Sequence, residues 1–339
     1  MSDKNLYNIY GKSQLKQQLD AENIRRITCS FYNYYNIKSL QLTRDSLYRD
    51  YKRLKILGRI YISEEGINAQ FSIPEYNLEK LLKLNDKYTF MKNVLIKKAV
   101  GQGSSFLKLK ILIKKEIVAW DSSNFKYDIS KTGKHLNAKE FNSLLDEEDT
   151  VLIDVRNSYE SEIGHFRSAI LPKANRSKDL IHEIKKILKD QKDKKIAMYC
   201  TGGIRCEKAS SILISEGFKK VYQLDGGVIE YANQVKKMGI KPKFIGKNFV
   251  FDNRLSEKIT NDVIAQCHLC GEKSDQHTNC KNTSCHILFI QCAACEKKLE
   301  GCCSKKCRDF KKIPKNKRHS ALVEIRRKFT KFRPRPSND

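Results

Sequence analysis

MYCTGGIRCEKAS, residues Met198–Ser210, joins an apolar run to a helical one through two glycines. The run before it, KKIAMYC (Lys194–Cys200), is short and apolar, as a strand buried in a parallel sheet is. The segment after it, RCEKASSILISEGF, has helical periodicity, and Gly217 is a stop signal. Such a junction lies at the carboxyl edge of a parallel sheet, where ligands bind. In the loop Thr201-Gly202-Gly203-Ile204 the glycines permit positive φ, so backbone N–H groups can turn inward. With the helix N-terminus they make a positive pocket. A thiolate is favoured over a thiol there, and Arg205 adds charge at the rim. Cys200 therefore reads as an activated nucleophile rather than a structural thiol. Cys206, inside the helix, reads as a small buried thiol rather than a resolving partner. Four residues separate Cys200 from Arg205, one fewer than cysteine-dependent phosphatases use to seat a phosphate. The smaller cradle suits a sulfur atom carried on the cysteine as a persulfide.

Outward from the loop, TVLIDVR (Thr150–Arg156) and KKVYQLDGG (Lys219–Gly227) read as further parallel strands, and DLIHEIKKILKD as a helix between them. Residues 130–240 are thus expected to form a doubly wound α/β domain. Residues 1–125 give the order β-α-β-β-α-β of a small ferredoxin-like α+β sheet. Its strands are ITCSFYNYYNI (Ile27–Ile37), two pieces in RIYISEEGINAQFSIP (Arg59–Pro74), and FLKLKILIKKEIVAW (Phe106–Trp120). Its helices are TRDSLYRDYKRLKILG (Thr43–Gly58) and EYNLEKLLKLND (Glu75–Asp86). FYNYYN is read as sheet core on one face, with base stacking as the alternative. Alternation turns either Tyr32 and Tyr34 or Phe31 and Tyr35 outward. Glu65-Gly66-Ile67-Asn68 is a candidate substrate-facing turn, with Gly66 more simply a turn glycine, and Lys52, Lys55 and Lys80 belong to solvated helix faces.

Nine of the twelve cysteines fall between Cys267 and Cys307. In a reducing compartment that density reads as metal ligation rather than disulfides. Residues 241–310 form a cysteine-rich module short of core material, whose stability is expected to need metal. One site is assigned to Cys267, Cys270, Cys292 and Cys295, the other to Cys280, Cys285, Cys307 and one of Cys302 and Cys303. Crossed pairings satisfy the spacing equally. Zinc is the expected metal, with an iron–sulfur cluster as the alternative.

The chain has 339 residues and a net charge of +27. Residues 304–339 hold 14 Lys and Arg against 3 Asp and Glu, so residues 311–339 are read as a basic, flexible tail that attracts polyanions. A lysine-rich composition with a solvated tail is the bland alternative. No apolar run approaches a membrane span, and MSDKNLYNIYGKS lacks the apolar centre of a secretory signal. A soluble, cytoplasmic protein is expected. There is no dinucleotide fingerprint, and no flavin or nicotinamide site is evident.

LIDVRNSYESEIGHFRSAILP (Leu152–Pro172) resembles the Asp-x-Arg…Glu…Gly-His…Ala segment of rhodanese domains, carried by Asp154, Arg156, Glu160, Gly164, His165 and Ala169. MYCTGGIRCEKAS resembles their active loop, with Cys200 in the place of the persulfide-forming cysteine. GFKKVYQLDGGVIEY resembles their closing segment. The Gly-His turn is mostly structural in such domains, so His165 is not taken as a base. Over residues 25–307, GRIYISEEGINAQFSIP, FIGKNFVFDNRL, CHLC, HTNCKN, CHILFIQCAAC and GCCS together resemble the oxygen-dependent tRNA uridine hydroxylase family. That resemblance implies hydroxylation at carbon 5 of the wobble uridine, position 34, to 5-hydroxyuridine. It also implies molecular oxygen as co-substrate and the tRNA anticodon arm as partner. The other readings are a rhodanese-type sulfurtransferase carrying sulfane sulfur on Cys200, and a non-catalytic RNA-binding scaffold. Three roles for Cys200 stay open: persulfide, sulfenate, or attack on carbon 6 of the base to make carbon 5 electron-rich.

Overall fold

The computed structural model describes residues 6–101, 103–121 and 124–314. The basic tail beyond residue 314 lies outside the described residues. In chain order the elements begin with α1 (Lys12–Ala21), β1 (Arg26–Tyr34), α2 (Leu40–Arg53), β2 (Leu57–Ser63), β3 (Gly66–Pro74), α3 (Leu78–Asn85), β4 (Lys97–Lys98) and β5 (Leu109–Ile113). Then follow β6 (Lys134–Leu136), α4 (Ala138–Leu144), β7 (Thr150–Asp154), α5 (Ser158–Ser161), β8 (Gly164–Phe166), α6 (Ser177–Leu188), β9 (Lys195–Tyr199), α7 (Ile204–Ser215), β10 (Val221–Leu224) and α8 (Gly227–Met238). The last are β11 (Phe244–Phe249), β12 (Ser256–Lys258), β13 (His277–Asn279), β14 (Leu288–Ile290), α9 (Ala293–Leu299) and α10 (Lys305–Lys312). Two units result. One contains the described residues up to Asn157 with Ser168–Pro242 and Val250–Arg254. The other contains Ser158–Arg167, Lys243–Phe249 and the described residues from Leu255 on.

The first unit opens with a five-stranded sheet in the order β4-β1-β3-β2-β5. β3 runs antiparallel to β1 and β2, and β4 antiparallel to β1, which is the ferredoxin-like arrangement. Ile27, Cys29 and Phe31 of β1 alternate into a core shared with Phe71 of β3 and Leu47 and Tyr51 of α2. Two expectations shift. The closing strand is Lys97–Lys98, whereas Leu109–Ile113 adds a parallel edge beside β2. The alternation read across 106–120 is real, since Leu109 and Ile111 are buried and Lys110 is exposed, but it marks that edge. Gly58, read as a helix stop, lies in β2, where a Cβ would come within 2.4 Å of the Gln70 carbonyl oxygen.

The second half of this unit is a parallel sheet in the order β6-β10-β9-β7. Its strands are short apolar runs because helices cover both faces. Asp154, at the end of β7, accepts Arg156 Nε at 2.9 Å and Nη2 at 2.7 Å, and the Tyr199 hydroxyl at 2.6 Å. Asp154 and Arg156 have no exposed surface. That bidentate pairing satisfies both buried charges and ties β7 to β9.

The face of the first sheet opposite α2 meets α7. Glu65 accepts Lys208 Nζ on both oxygens, at 3.1 and 2.9 Å, and the Ile117 N–H at 2.7 Å. Glu65 of the candidate substrate-facing turn is therefore engaged in an internal brace. In the second unit β11 lies between β8 and β12, antiparallel to both, and β13 pairs with β14. One of its core clusters is Ile287 and Phe289 among Cys280, Cys302, Cys303 and Cys307. No described helix is long and apolar enough to cross a membrane.

Lys208 has no exposed side-chain surface, so Glu65→Ala takes a carboxylate from a buried ammonium. A loss of about 3 kcal/mol in urea unfolding is expected, with Glu65→Gln, which keeps an acceptor, costing less.

Candidate active site and metal centres

β9 ends at Tyr199 and α7 begins at Ile204, leaving Cys200 at the turn with no exposed surface. The Gly203 N–H donates to Cys200 Sγ at 3.1 Å. Gly203 has φ +95, and a Cβ there would lie 2.8 Å from the Tyr32 hydroxyl; Gly202 has nothing within 4 Å. Only one of the two loop glycines is thus required by its conformation. A second pair, Gly226-Gly227, backs the loop. Gly227 has φ +66, and a Cβ would stand 2.5 Å from the Cys200 carbonyl oxygen. That closeness lets the first turn of α8 cap the loop, with Val228 N–H on the Cys200 carbonyl at 3.0 Å and Ile229 N–H on that of Thr201 at 3.2 Å. Arg205 donates to Thr201 Oγ1 at 3.2 Å and its guanidinium lies 5.8 Å from the Phe251 ring centroid. Ile204 caps nothing itself; its carbonyl accepts the Tyr34 hydroxyl at 3.1 Å.

Burial pushes the Cys200 thiol up, but the Cys206 thiol, the Arg205 charge and the N–H groups of Arg205 and Gly202 outweigh it and hold it down to about 5. Cys206 moves the opposite way, well above its ordinary value, through burial and its bond to Cys200. Cys206 is thus more than packing, because as a thiol it donates to the neighbouring sulfur.

The first sheet supplies the rest of the site. Tyr32 and Tyr34 project from the face opposite Phe31, their rings 6.4 Å apart and edge-on. The Tyr32 hydroxyl donates to Glu207 Oε1 at 2.8 Å, and Glu207 also takes His135 at 2.9 Å and Gln223 Nε2 at 2.7 Å. Burial raises the Glu207 carboxyl, but His135, Gln223 and Tyr32 more than compensate and lower it. The same hydrogen bond to Glu207 raises His135. Lys97, nearly buried, places Nζ 4.3 Å from the Tyr32 ring centroid. The sequence reading raised Tyr32 and Tyr34 only as one of two outward pairs and left out Glu207, His135, Gln223 and Lys97. The available signal was a strand with aromatics on both faces, which a sheet with one open face does not need. His165 lies in β8, where Nδ1 hydrogen-bonds the Phe166 carbonyl at 2.9 Å.

In the second unit two sets of sulfurs converge, Cys267, Cys270, Cys292 and Cys295, and Cys280, Cys285, Cys303 and Cys307. Within each, all sulfurs lie within 4.8 Å of one another. Cys270–Cys292 is 3.6 Å, Cys303–Cys307 3.7 Å and Cys285–Cys303 3.8 Å. A tetrahedral ion bonded to sulfur at about 2.3 Å needs sulfurs about 3.8 Å apart. Each set could therefore hold one metal ion. Cys302 stays outside both sets, in the core beside Ile287 and Phe289, and burial pushes it up to about 11. His268 hydrogen-bonds Glu162 at 2.9 Å and joins neither set.

A glycine-bent thiolate loop on a parallel sheet defines a rhodanese-like protein, and residues 137–234 match the description "Rhodanese-like domain". Residues 26–117 match "UPF0176 acylphosphatase like domain" and 245–308 "Rhodanase C-terminal". The Rhodanese-like domain from an Anabaena sp protein, solved by NMR, is 23% identical with a TM-score of 0.27, covering 34% of this chain and 80% of that one. The tRNA uridine(34) hydroxylase of Leptospira interrogans is 48% identical over 335 residues, 98% of this chain and 91% of that protein. That of Photorhabdus laumondii is 44% identical over 319 residues, 93% and 90% of the two. The chain belongs to the tRNA uridine(34) hydroxylase family.

Two outcomes follow from the geometry. The ultraviolet thiolate absorbance lost in Cys200→Ala should titrate with a midpoint near 5. The folded value is the lower one, so stability relative to Cys200→Ala is full above the unfolded value of about 8.5 and is lost as pH falls through the folded one. Elemental analysis should find less bound metal in Cys303→Ser and an unchanged amount in Cys302→Ser.

Proposed function

We propose that this chain hydroxylates carbon 5 of uridine 34 in tRNA, with molecular oxygen as co-substrate, and that Cys200 is the group that engages the base. Relatives that share nearly the whole chain are tRNA uridine(34) hydroxylases, which supports the activity. The observation that carries the role of Cys200 is a buried sulfur held as an anion by loop amides and Arg205. An anticodon-loop base suits such a site, because an unpaired base can be splayed out and inserted. Thr201, Gly202, Gly203, Ile204 and Arg205 shape the cradle. The net charge of +27 attracts the anticodon arm, so affinity should fall steeply with salt. A tRNA substrate supports a cytoplasmic location.

For the metal sites we infer zinc, one ion on Cys267, Cys270, Cys292 and Cys295 and one on Cys280, Cys285, Cys303 and Cys307. Four-thiolate closure leaves no open coordination position, so the metal holds the module together.

Cells carrying Cys200→Ala should lose 5-hydroxyuridine and its derivatives from tRNA by nucleoside mass spectrometry. Isotopically heavy oxygen gas should label the product of the purified wild-type enzyme. Hydroxylation persisting while tRNA thiolation disappears would select the sulfurtransferase instead.

A further inference from the structure

The structure brings a second charge to the thiolate from the other half of the unit. β4 pairs with β1 so that Lys97 stands opposite Ser30. Cross-strand partners share a face, so Lys97 lies on the Tyr32 side of the sheet. Only 4% of the residue is exposed. Its Nζ lies 4.3 Å from the Tyr32 ring centroid, and its Cδ passes 3.3 Å from where a Cβ on Gly226 would be. The next residue, Gly227, abuts the Cys200 carbonyl and the N–H groups of Gly202 and Gly203. The ammonium is thus wedged between the tyrosine that overlies the loop and the turn that backs it. Among the described residues no carboxylate makes an ion pair with it. Burial lowers its pKa to about 8, and of the charges that oppose this shift Cys200 is the strongest, ahead of Asp225, Glu207 and Glu230. Glu207 is already engaged by Tyr32, His135 and Gln223.

An ammonium withdrawn from water with no carboxylate in contact is costly. It suits a group that becomes negative only during reaction, because preorganised charge lowers a barrier when it meets charge that develops there. A phosphate does not fit, since the neighbouring thiolate would repel it. A uracil ring does. We propose that Lys97 is a catalytic residue that stabilises the negative charge developing on oxygen 4 of uridine 34 as the Cys200 thiolate adds to carbon 6. This rests on the hydroxylase reading above.

The step balances without an oxidant. A Cys200 Sγ lone pair forms the bond to carbon 6. The C5–C6 π pair moves between carbons 4 and 5, and the C4–O4 π pair moves onto oxygen 4. The resulting enolate oxygen accepts a hydrogen bond from the Lys97 ammonium. Carbon 5 is then nucleophilic. With oxygen absent its available partner is a solvent proton; loss of either hydrogen from carbon 5 and expulsion of the Cys200 thiolate restore the ring.

The test is hydrogen exchange at carbon 5. Full-length protein and unmodified tRNA are incubated in heavy water without oxygen, and uridine 34 is weighed as the nucleoside. The wild-type protein should introduce deuterium there, and Cys200→Ala should not. Lys97→Met should slow exchange about 100-fold, the scale for removing one oxyanion donor. Hydroxylation in air should fall with it, while tRNA affinity and thermal midpoint hold. Lys97→Arg should recover part of both rates. Exchange by Lys97→Met at the wild-type rate overturns the role of Lys97. Aerobic hydroxylation by wild-type protein that gives no anaerobic exchange overturns the addition step. A wild-type protein that hydroxylates no uridine in air sinks the underlying reading, a failure distinct from the other two.

Discussion

Withdrawing a sulfur anion from water costs several kcal/mol unless its surroundings replace the lost hydration. Around Cys200 that replacement is the Cys206 thiol, the Arg205 charge and backbone amides. The Gly203 N–H reaches the sulfur at 3.1 Å, and the N–H groups of Gly202 and Arg205 also point to it. Amides fixed between β9 and α7 need no reorganisation. The positive φ at Gly203 and the close approach at Gly227 follow from that demand, since a side chain at either would push the loop open. The Cys206 thiol completes the cage one helical turn on, at the expense of its own ionisation.

The ferredoxin-like sheet is the second half of the same centre. Sheets of this kind cover one face with helices and leave the other for a partner. Here that face carries Tyr32, Tyr34 and Lys97, and α7 offers Glu207, Lys208 and the Ile204 carbonyl to meet it. α7 therefore presents its N-terminal amides to the sulfur and its polar side chains to the sheet. Its buried polar residues would be expensive in an isolated rhodanese-like domain. Glu207, Lys208 and the Ile204 carbonyl instead find partners across the junction in Tyr32, Glu65 and Tyr34.

Much of this was legible beforehand. The loop announced itself because strand, glycine pair, arginine and helix occur within thirteen residues, Met198–Ser210. The cysteine pairs announced themselves by spacing, although spacing alone could not choose Cys303 over Cys302. The choice depends on which sulfur turns toward Cys307 and which toward Phe289. β4 was invisible because two residues carry no period. Lys97 was invisible because it is one of 66 Lys and Arg. The faces of FYNYYN were ambiguous because both are apolar, and the alternation of Phe31 with Tyr32 acquires a direction only once α2 is packed on one side.

β8 follows from a different economy. Its partner is β11, with His165 opposite Ile245. A ribosome adding about 5–20 residues per second makes the eighty residues between them in roughly 4–16 seconds. During that interval β9 and β10 emerge and can pair with the earlier β7 and β6, while the Gly164–Phe166 strand waits with its hydrogen bonds unmade. The nascent chain therefore carries an open edge through the middle of its own synthesis, and the stretch that closes it is delivered only as the cysteine-rich end begins to leave the tunnel.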